Sequence, residues 1–203
     1  MALGFMPIML LDEWRLSPSL GYTFDRRWVE PHESIVSILW KFVRMNALPG
    51  HLAAGYLSRT PVDPYDGIDA HREAIDVARM RVTLGLSRRV IRASVIAAHH
   101  RGAVCANFRY CRACLGRGYH SLLYQFERVA RCPIHRRPLE TACRSCGYRI
   151  AYRLNARLLE TPYRCPQCRT LYGTTWPQFP SCSDMPMKDL IALTRLRFDR
   201  CLF

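Results

Sequence analysis

Four pairs of metal-binding side chains, each with two residues between its members, constrain the fold of this 203-residue chain more than any other feature. The pairs are Cys111 with Cys114, Cys132 with His135, Cys143 with Cys146, and Cys165 with Cys168. The first two pairs are 17 residues apart and the last two 18, within the roughly 15–20 residues expected between the halves of one zinc site. Four such donors close a structural site. The chain is therefore predicted to hold two structural zinc ions.

Disulfide bonds in a secreted protein are the alternative explanation for these cysteines. No Lys or Arg precedes Arg15 and Pro7 interrupts the early apolar run, so we expect no secretory leader. No segment approaches the roughly 18 uninterrupted apolar residues of a membrane span. We therefore expect a cytoplasmic protein without a membrane partner. Iron–sulfur ligation is the main competitor for the metal, but His135 and the paired layout favour zinc.

Three cysteines remain outside the four pairs: Cys105, Cys182 and Cys201. Free cysteines are commonly buried as small apolar side chains, and this is the interpretation we adopt. Cys105 precedes the first pair closely enough to replace one of its members, although its spacing is poorer.

Positive charge is concentrated in the C-terminal half of the chain. Residues 101–203 contain 18 Lys plus Arg against 6 Asp plus Glu, whereas residues 1–100 contain 12 against 10. The net charge of +14 therefore favours a polyanionic partner for the cysteine-rich half. Arg outnumbers Lys 28 to 2, which suits phosphate recognition by planar guanidinium groups, although GC-rich codon usage produces the same ratio.

The N-terminal half is predicted to be helical after an irregular arm. From Glu33 onward, apolar residues recur on one helical face, and Asn46 to Gly50 supplies the stop. The members of that face are Ile35, Ile38, Leu39 and Phe42. Prolines and a glycine predict a loop from Thr60 to Gly67.

Two further helices around a glycine turn indicate a helix-turn-helix. The first is predicted from Ala70 to Val82, with Ile75, Ala78 and Val82 on one side. After Leu84-Gly85-Leu86, Ser87 is placed to cap a second helix that runs through Ile96. Arg88, Arg89 and Arg92 stand where a recognition helix contacts DNA. An ordinary helical hairpin with a solvated basic face is the alternative, and the late position of the glycine favours it.

The predicted fold class is mainly α, with small zinc-stabilised β elements. Tyr119 to Phe126 predicts a short helix, Tyr148 to Leu159 either a zinc-ribbon hairpin or a helix, and Met187 to Leu202 a final amphipathic helix. In that last helix, the apolar face made of Leu190, Ile191, Thr194 and Phe198 is expected to face either the core or a partner. The predicted units are an arm (1–30), a helix-turn-helix-like domain (31–100), two zinc modules (105–142 and 143–175) and a C-terminal helix (185–203).

The ligand residues and their neighbours resemble the zinc-finger core of TniQ proteins, the target-selection adaptors of bacterial transposons. The matching strings are Tyr110-Cys111-x-x-Cys114-Leu115, Gly118-Tyr119-His120, Cys132-Pro133-x-His135-x-x-x-Leu139 and Cys143-x-x-Cys146-Gly147. Pro31-x-Glu33-Ser34-x-x-Ser37 with Asn46 is similar to the family's first helix, and Leu84 to Ser87 to its helix-turn-helix turn. The resemblance covers about residues 31–170. Arg112 and Tyr124 depart from the proline and tryptophan usual there, but neither change removes a ligand.

This resemblance implies an adaptor in DNA transposition. Such a protein binds DNA or a guide-RNA effector complex on one side and an AAA+ ATPase of the TnsC or TniB type on the other, and it can act as a homodimer. The long C-terminal domain of TnsD-type relatives is absent, so we expect a compact adaptor in the bacterial cytoplasm. Arg136, Arg137 and Arg144 flank ligands and are expected on the polyanion-facing surface.

A zinc-containing helix-turn-helix transcription regulator is the alternative function. Catalysis is not expected, because a catalytic zinc keeps an open position with three protein ligands, whereas each site here has four donors. The deaminase signature and the phosphate-binding glycine loop are both absent from the sequence. Adjacent His99 and His100 would point apart on a helix and form a poor joint site.

Overall fold

The computed structural model describes residues 11–12, 17–18, 21–177 and 185–199. Its α-helices are α1 (Ile35–Met45), α2 (Gly50–Leu57), α3 (Val77–Leu84), α4 (Arg88–Ala93), α5 (Arg112–Gly116), α6 (Ala156–Leu159) and α7 (Met187–Asp199), and the short helix predicted within Tyr119 to Phe126 is a 3-10 helix, Leu122–Gln125. Strand β1 (Leu11–Asp12) pairs with β2 (Ser17–Pro18), and β3 (Ile68–Asp69) with β4 (Arg153–Leu154), both antiparallel. The mainly helical class with small β elements is thus confirmed. The proposed unit boundaries remain predictions, and most of the arm, with residues 200–203, lies outside the described residues.

Helix α1 is the centre of the larger hydrophobic core. The Ser34 hydroxyl accepts a hydrogen bond from the Ser37 N–H at 3.3 Å and starts the helix, and Asn46 ends it. Every residue from 35 to 43 is buried, including the four apolar residues that were predicted to face the core. An amphipathic helix on a protein surface buries only one face, whereas α1 is buried on every face and is therefore enclosed on all sides.

Burial of α1 on all sides also encloses a charged pair. Lys41 Nζ lies 2.6 Å from Glu33 Oε1, with the two side chains 2% and 0% exposed. Ser37 donates its hydroxyl hydrogen to the same carboxylate oxygen, and the Glu30 N–H donates to the other one. The buried carboxylate is therefore fully hydrogen-bonded, as a buried charge must be.

The helical half and the second cysteine-rich segment share this core. Trp40 on α1 donates its indole N–H to the Leu158 carbonyl at 2.7 Å. Helix α2 packs on α6 so closely that a Cβ on Gly50 would lie 2.6 Å from the Glu160 backbone nitrogen. The β3–β4 pairing joins the same two regions of the chain. The segment predicted as either a hairpin or a helix is in fact a strand, β4, followed by a short helix, α6.

Helices α3 and α4 lie on either side of the predicted turn, but both are shorter than predicted. Gly85 adopts a left-handed conformation with φ of 64° at the end of α3, and the Ser87 hydroxyl caps α4 by accepting from the Val90 N–H. Helix α3 begins at Val77 because Asp76 caps it there, and α4 ends at Ala93. The predicted face was wrong at two of its three members: Ala78 is exposed and Val82 is 78% exposed, and Met80 and Leu84 are buried instead.

Helix α7 packs against the first cysteine-rich segment with a different face from the predicted one. Leu193 is fully buried and Asp189 is 7% exposed, whereas Ile191 is 43% exposed. Asp189 forms a salt bridge of 3.0 Å with Arg117 on the same face. The side chain of Phe198 lies outside the described residues. Within the described ranges, no helix combines the length and apolar character required to cross a bilayer.

Candidate metal centres

Three of the four ligand pairs lie on the same type of backbone turn. In each, the fourth residue after the first cysteine adopts a left-handed conformation and donates its N–H to that cysteine's carbonyl at 2.8 Å. The cysteine N–H in turn donates to the carbonyl of the fifth residue, at 2.8–2.9 Å. The left-handed residues are Arg136 (φ 54°), Gly147 (φ 72°) and Arg169 (φ 62°). This turn brings the two donor side chains of each pair together.

The first pair uses a helix instead of that turn. Cys111 occupies the N-cap position of α5, and Cys114 lies within the helix. The Leu115 N–H donates to the Cys111 carbonyl at 3.0 Å, which closes the first turn. Residues three apart on a helix lie on the same face, so the two thiols converge.

The first cluster consists of Cys111, Cys114, Cys132 and His135. Their donor atoms all lie within 4.8 Å of one another. Cys114 Sγ lies 3.7 Å from Cys132 Sγ, and His135 Nδ1 lies 3.5, 3.3 and 3.6 Å from the sulfurs of Cys111, Cys114 and Cys132. Metal–sulfur bonds of about 2.3 Å in a tetrahedron place the donors roughly 3.8 Å apart. The donors therefore outline one tetrahedral site, and the sulfurs are too far apart for a disulfide bond of about 2.05 Å.

The second cluster consists of Cys143, Cys146, Cys165 and Cys168, and its donors also lie within 4.8 Å of one another. Cys143 Sγ lies 3.6 Å from Cys168 Sγ, and Cys146 Sγ lies 3.7 Å from Cys165 Sγ. Cys143 and Cys165 are buried, whereas Cys146 is exposed. Both clusters are thus positioned to hold a metal ion, and the second is nearer to solvent.

Hydrogen bonding within the clusters shifts the pKa values of the thiols in opposite directions. Contacts with the Cys111 and Cys114 thiols hold the pKa of Cys132 far below its usual range. Contacts with Cys111 and Cys132 raise the pKa of Cys114. In the second cluster, hydrogen bonds from Thr170 lower the pKa of Cys168 to about 6. Because several thiolates do not coexist there without a cation, metal binding would release the remaining protons.

A buried tyrosine hydroxyl contacts two sulfurs of the first cluster. Tyr124 is fully buried, and its Oη lies 3.0 Å from Cys114 Sγ and 3.3 Å from Cys132 Sγ. With a metal bound, the thiolates would carry no proton, and the hydroxyl would be the donor in both contacts. Such outer hydrogen bonds orient ligands and tune metal affinity. The sequence pattern did not reveal this role, because nothing in the spacing relates Tyr124 to the ligands.

His120 links the first cluster's segment to α1 and is not a ligand. The Ser34 hydroxyl lies 2.6 Å from its Nδ1, and its Nε2 lies 2.7 Å from the Arg109 carbonyl. Burial lowers the pKa of His120 to about 4, so the ring is neutral near pH 7. Nε2–H therefore donates to the carbonyl and Nδ1 accepts from Ser34, which is also the cap of α1.

All six arginines predicted to contact nucleic acid lie on the surface: Arg88, Arg89, Arg92, Arg136, Arg137 and Arg144. The first three project from α4, and the other three flank the ligands of the two clusters. Arg144 forms an ion pair of 2.8 Å with Glu140. The other five make no ion pair with any residue that the structure describes, which leaves their guanidinium groups open to solvent.

A short repeat that the sequence analysis missed connects two of the turns. Arg131-Cys132-Pro133 and Arg164-Cys165-Pro166 each precede a turn that ends in Arg136 or Arg169. Arg131 donates to the Arg136 carbonyl at 3.2 Å, and Arg164 to the Arg169 carbonyl at 2.8 Å. Comparison of the two strings would have found this signal.

No protein-family model matches the chain, and no curated protein is significantly similar to it.

Proposed function

We propose that each cluster holds one zinc ion and that the ions are structural. Four donors at tetrahedral separations support zinc. In the first cluster, the histidine donor His135 also favours zinc over metal centres that are bound by thiolates alone. The donor atoms of each cluster are close enough together to bind one ion, whereas the thiolates that bind a four-iron cluster lie farther apart because the iron and sulfide atoms stand between them. Because no ligand position is left open, the role that fits these ions is to hold the fold together, and we propose no catalytic activity.

We propose further that the protein is a TniQ-like adaptor in DNA transposition. In this role it links a target-recognising nucleic acid or nucleoprotein complex to an AAA+ ATPase of the TnsC or TniB type. The observation that carries the proposal is the placement of exposed arginines on two metal-stabilised turns in the half of the chain with 18 basic and 6 acidic residues. The resemblance of the ligand strings to the TniQ core supplies the identity of the partners.

Binding of labelled duplex DNA and of single-stranded RNA tests the nucleic-acid half of this proposal. We expect affinity to fall steeply as salt rises, because phosphate contacts release counterions. Removal of the cationic groups of Arg136, Arg137 and Arg144 should weaken binding to every sequence alike. Asn is the suitable replacement at position 136, since it tolerates the left-handed backbone there. Removal of exposed Arg59, from the less basic half, is the matched control.

The partner half of the proposal is tested by capture of the AAA+ ATPase that the neighbouring genes encode. We expect the zinc-loaded protein to retain that ATPase, with retention lost after chelation of the metal. Failure of the zinc-loaded protein to retain it, at concentrations at which nucleic acid binds, would remove the transposition adaptor and leave a nucleic-acid-binding protein of another kind.

A zinc-containing transcription regulator is the second candidate, and one observation favours it. Gly85 and Ser87 form a capped turn between α3 and α4, and α4 exposes Arg88, Arg89 and Arg92. A regulator would bind one DNA sequence preferentially, with each mismatched base pair costing about 1–3 kcal/mol. Loss of that preference when the three α4 arginines become Gln would support the regulator, whereas equal binding to all sequences would reject it.

A further inference from the structure

The two clusters are built with the same asymmetry between their halves. In each, the first ligand pair carries an arginine directly after its first cysteine, at Arg112 and Arg144. The second pair carries a proline at the same place, as in Cys132-Pro133 and Cys165-Pro166. The arginines thus occupy equivalent positions in the two halves of the cysteine-rich region, although they are 32 positions apart in the chain.

These two equivalent arginines line the same cavity. It borders Cys143 of the second cluster, has a volume of about 190 Å³, and is also lined by the hydroxyl-bearing residues Ser145 and Thr170. No carboxylate is among its lining residues. Tyr110 and Tyr172 form one wall, with ring centroids 4.6 Å apart. Two cationic side chains and two hydroxyl groups therefore surround one space.

Both arginines are available to a ligand in that space. Glu140 holds Arg144 through its Nε at 2.9 Å and its Nη2 at 2.8 Å, so the remaining terminal nitrogen is fixed in place and still open. Arg112 is half-buried and makes no ion pair with a residue of the described ranges.

We propose that this cavity binds one phosphate group of a nucleic-acid backbone, with Arg112 and Arg144 as the charged contacts and Ser145 as a hydroxyl donor. The inference rests on the proposed nucleic-acid binding and assigns it a specific subsite. The cavity is smaller than the roughly 300–1,000 Å³ of sites for whole small-molecule ligands, so a single anionic group suits it better than a base. Planar guanidinium groups are the side chains best shaped to bind phosphate oxygens.

The competing role for these arginines is to neutralise the negative charge of the metal–thiolate complex. A divalent ion with four thiolates carries a net charge of about −2, and Cys143 of that cluster borders the cavity. In that case the two arginines would stabilise the bound metal and contribute nothing to nucleic-acid affinity. The two roles therefore differ in which measured affinity changes when an arginine is removed.

Arg112→Pro is the variant that removes the charge with the least disturbance to the fold. Arg112 is the first residue of α5, a position that favours proline because its N–H has no partner within the helix. Cys111 has φ of −104° and ψ of 122°, which is the extended conformation that a residue before proline adopts. Arg144→Gln removes the second charge, and Arg149→Gln, at an exposed position that does not line the cavity, is the matched control.

The experiment measures the affinity of the zinc-loaded variants for labelled duplex DNA and for single-stranded RNA over a range of salt concentrations. We expect Arg112→Pro to weaken binding about tenfold, and the double variant with Arg144→Gln, which removes both charged contacts to the phosphate, to reduce the slope of log affinity against log salt by about 0.7–0.9. The double variant with Arg144→Gln should lose less than the product of the single losses, because both arginines contact one phosphate. The DNA and RNA arms show which backbone the subsite prefers.

Three results would overturn the subsite. The first is equal affinity of Arg112→Pro and Arg149→Gln while the wild type binds with strong salt dependence, an outcome that leaves the proposed function intact. The second is unchanged nucleic-acid affinity with weaker retention of zinc by the second cluster, which assigns the arginines to metal compensation. The third is the absence of nucleic-acid binding by the wild type, which removes the proposed function as well.

Discussion

The contact between Tyr124 and the first cluster leads to a prediction specific to one metal site. Replacement of Tyr124 by Phe deletes the hydroxyl that lies 3.0 and 3.3 Å from the sulfurs of Cys114 and Cys132, and leaves the ring packing in place. One hydroxyl proton serves two sulfurs, so the loss equals one hydrogen bond to a charged acceptor, worth about 1.5–3 kcal/mol. Taking about 2 kcal/mol, metal affinity should fall roughly 30-fold, since 1.36 kcal/mol corresponds to a factor of ten.

Competition with a chromophoric chelator measures this affinity, and cobalt substitution separates the two sites. A site with three sulfurs and one nitrogen absorbs at different wavelengths from one with four sulfurs, so titration curves can be assigned to each cluster. Tyr119→Phe is the control: it packs in the same apolar cluster, but its hydroxyl donates to the Pro31 carbonyl at 3.0 Å and contacts no ligand. Equal affinities in the two variants, or a loss confined to the four-cysteine site, would refute the reasoning.

Three more predictions follow from buried groups and backbone strain. Lys41→Met should destabilise the protein by about 3–5 kcal/mol in urea unfolding, because it leaves the Glu33 carboxylate buried without its cation; a change below 1 kcal/mol would contradict this. Burial lowers the pKa of His120 to about 4, from an ordinary value near 6.5 in the unfolded chain. The free energy of unfolding should therefore be unaffected by this group above about pH 6.5 and should fall by up to about 3 kcal/mol as the pH is lowered toward 4. An NMR titration of the zinc-loaded protein should find no protonation of that ring above about pH 5, and a midpoint near 6.5 would reject the assignment. Gly147→Ala should cost about 1–2 kcal/mol of stability through its φ of 72° alone, since a Cβ there would meet nothing within 4 Å, and calorimetry that finds no loss would disprove the strain.

Local chemistry explains which features the sequence could predict. The eight ligands were predictable because each pair lies within one turn, so spacing alone determines which atoms converge. The starts of α1 and α4 were predictable because Ser34 and Ser87 cap them by hydrogen bonds to residues three positions on. The left-handed conformation of Arg136 was not, because arginine rarely adopts it and the turn imposes it through the ligand pair.

Features that depend on distant residues escaped the sequence. The buried face of α7 carries Leu193 and the pairing of Asp189 with Arg117, 72 positions earlier, whereas helical periodicity had indicated another face. The strand β4 forms only because β3 provides its partner. Equally, Tyr124 reaches the first cluster through the packing of its own segment against α5. Each of these contacts is tertiary, and no local pattern records it.

The number of metal ions held by the folded chain tests the central claim most directly. Native mass spectrometry of the purified protein should find two zinc ions per chain, and circular dichroism should show loss of the folded structure once a chelator removes them, since zinc supplies about 10–16 kcal/mol of folding free energy in comparable small modules. A metal-free chain whose circular dichroism spectrum and melting curve match those of the purified protein would contradict the account.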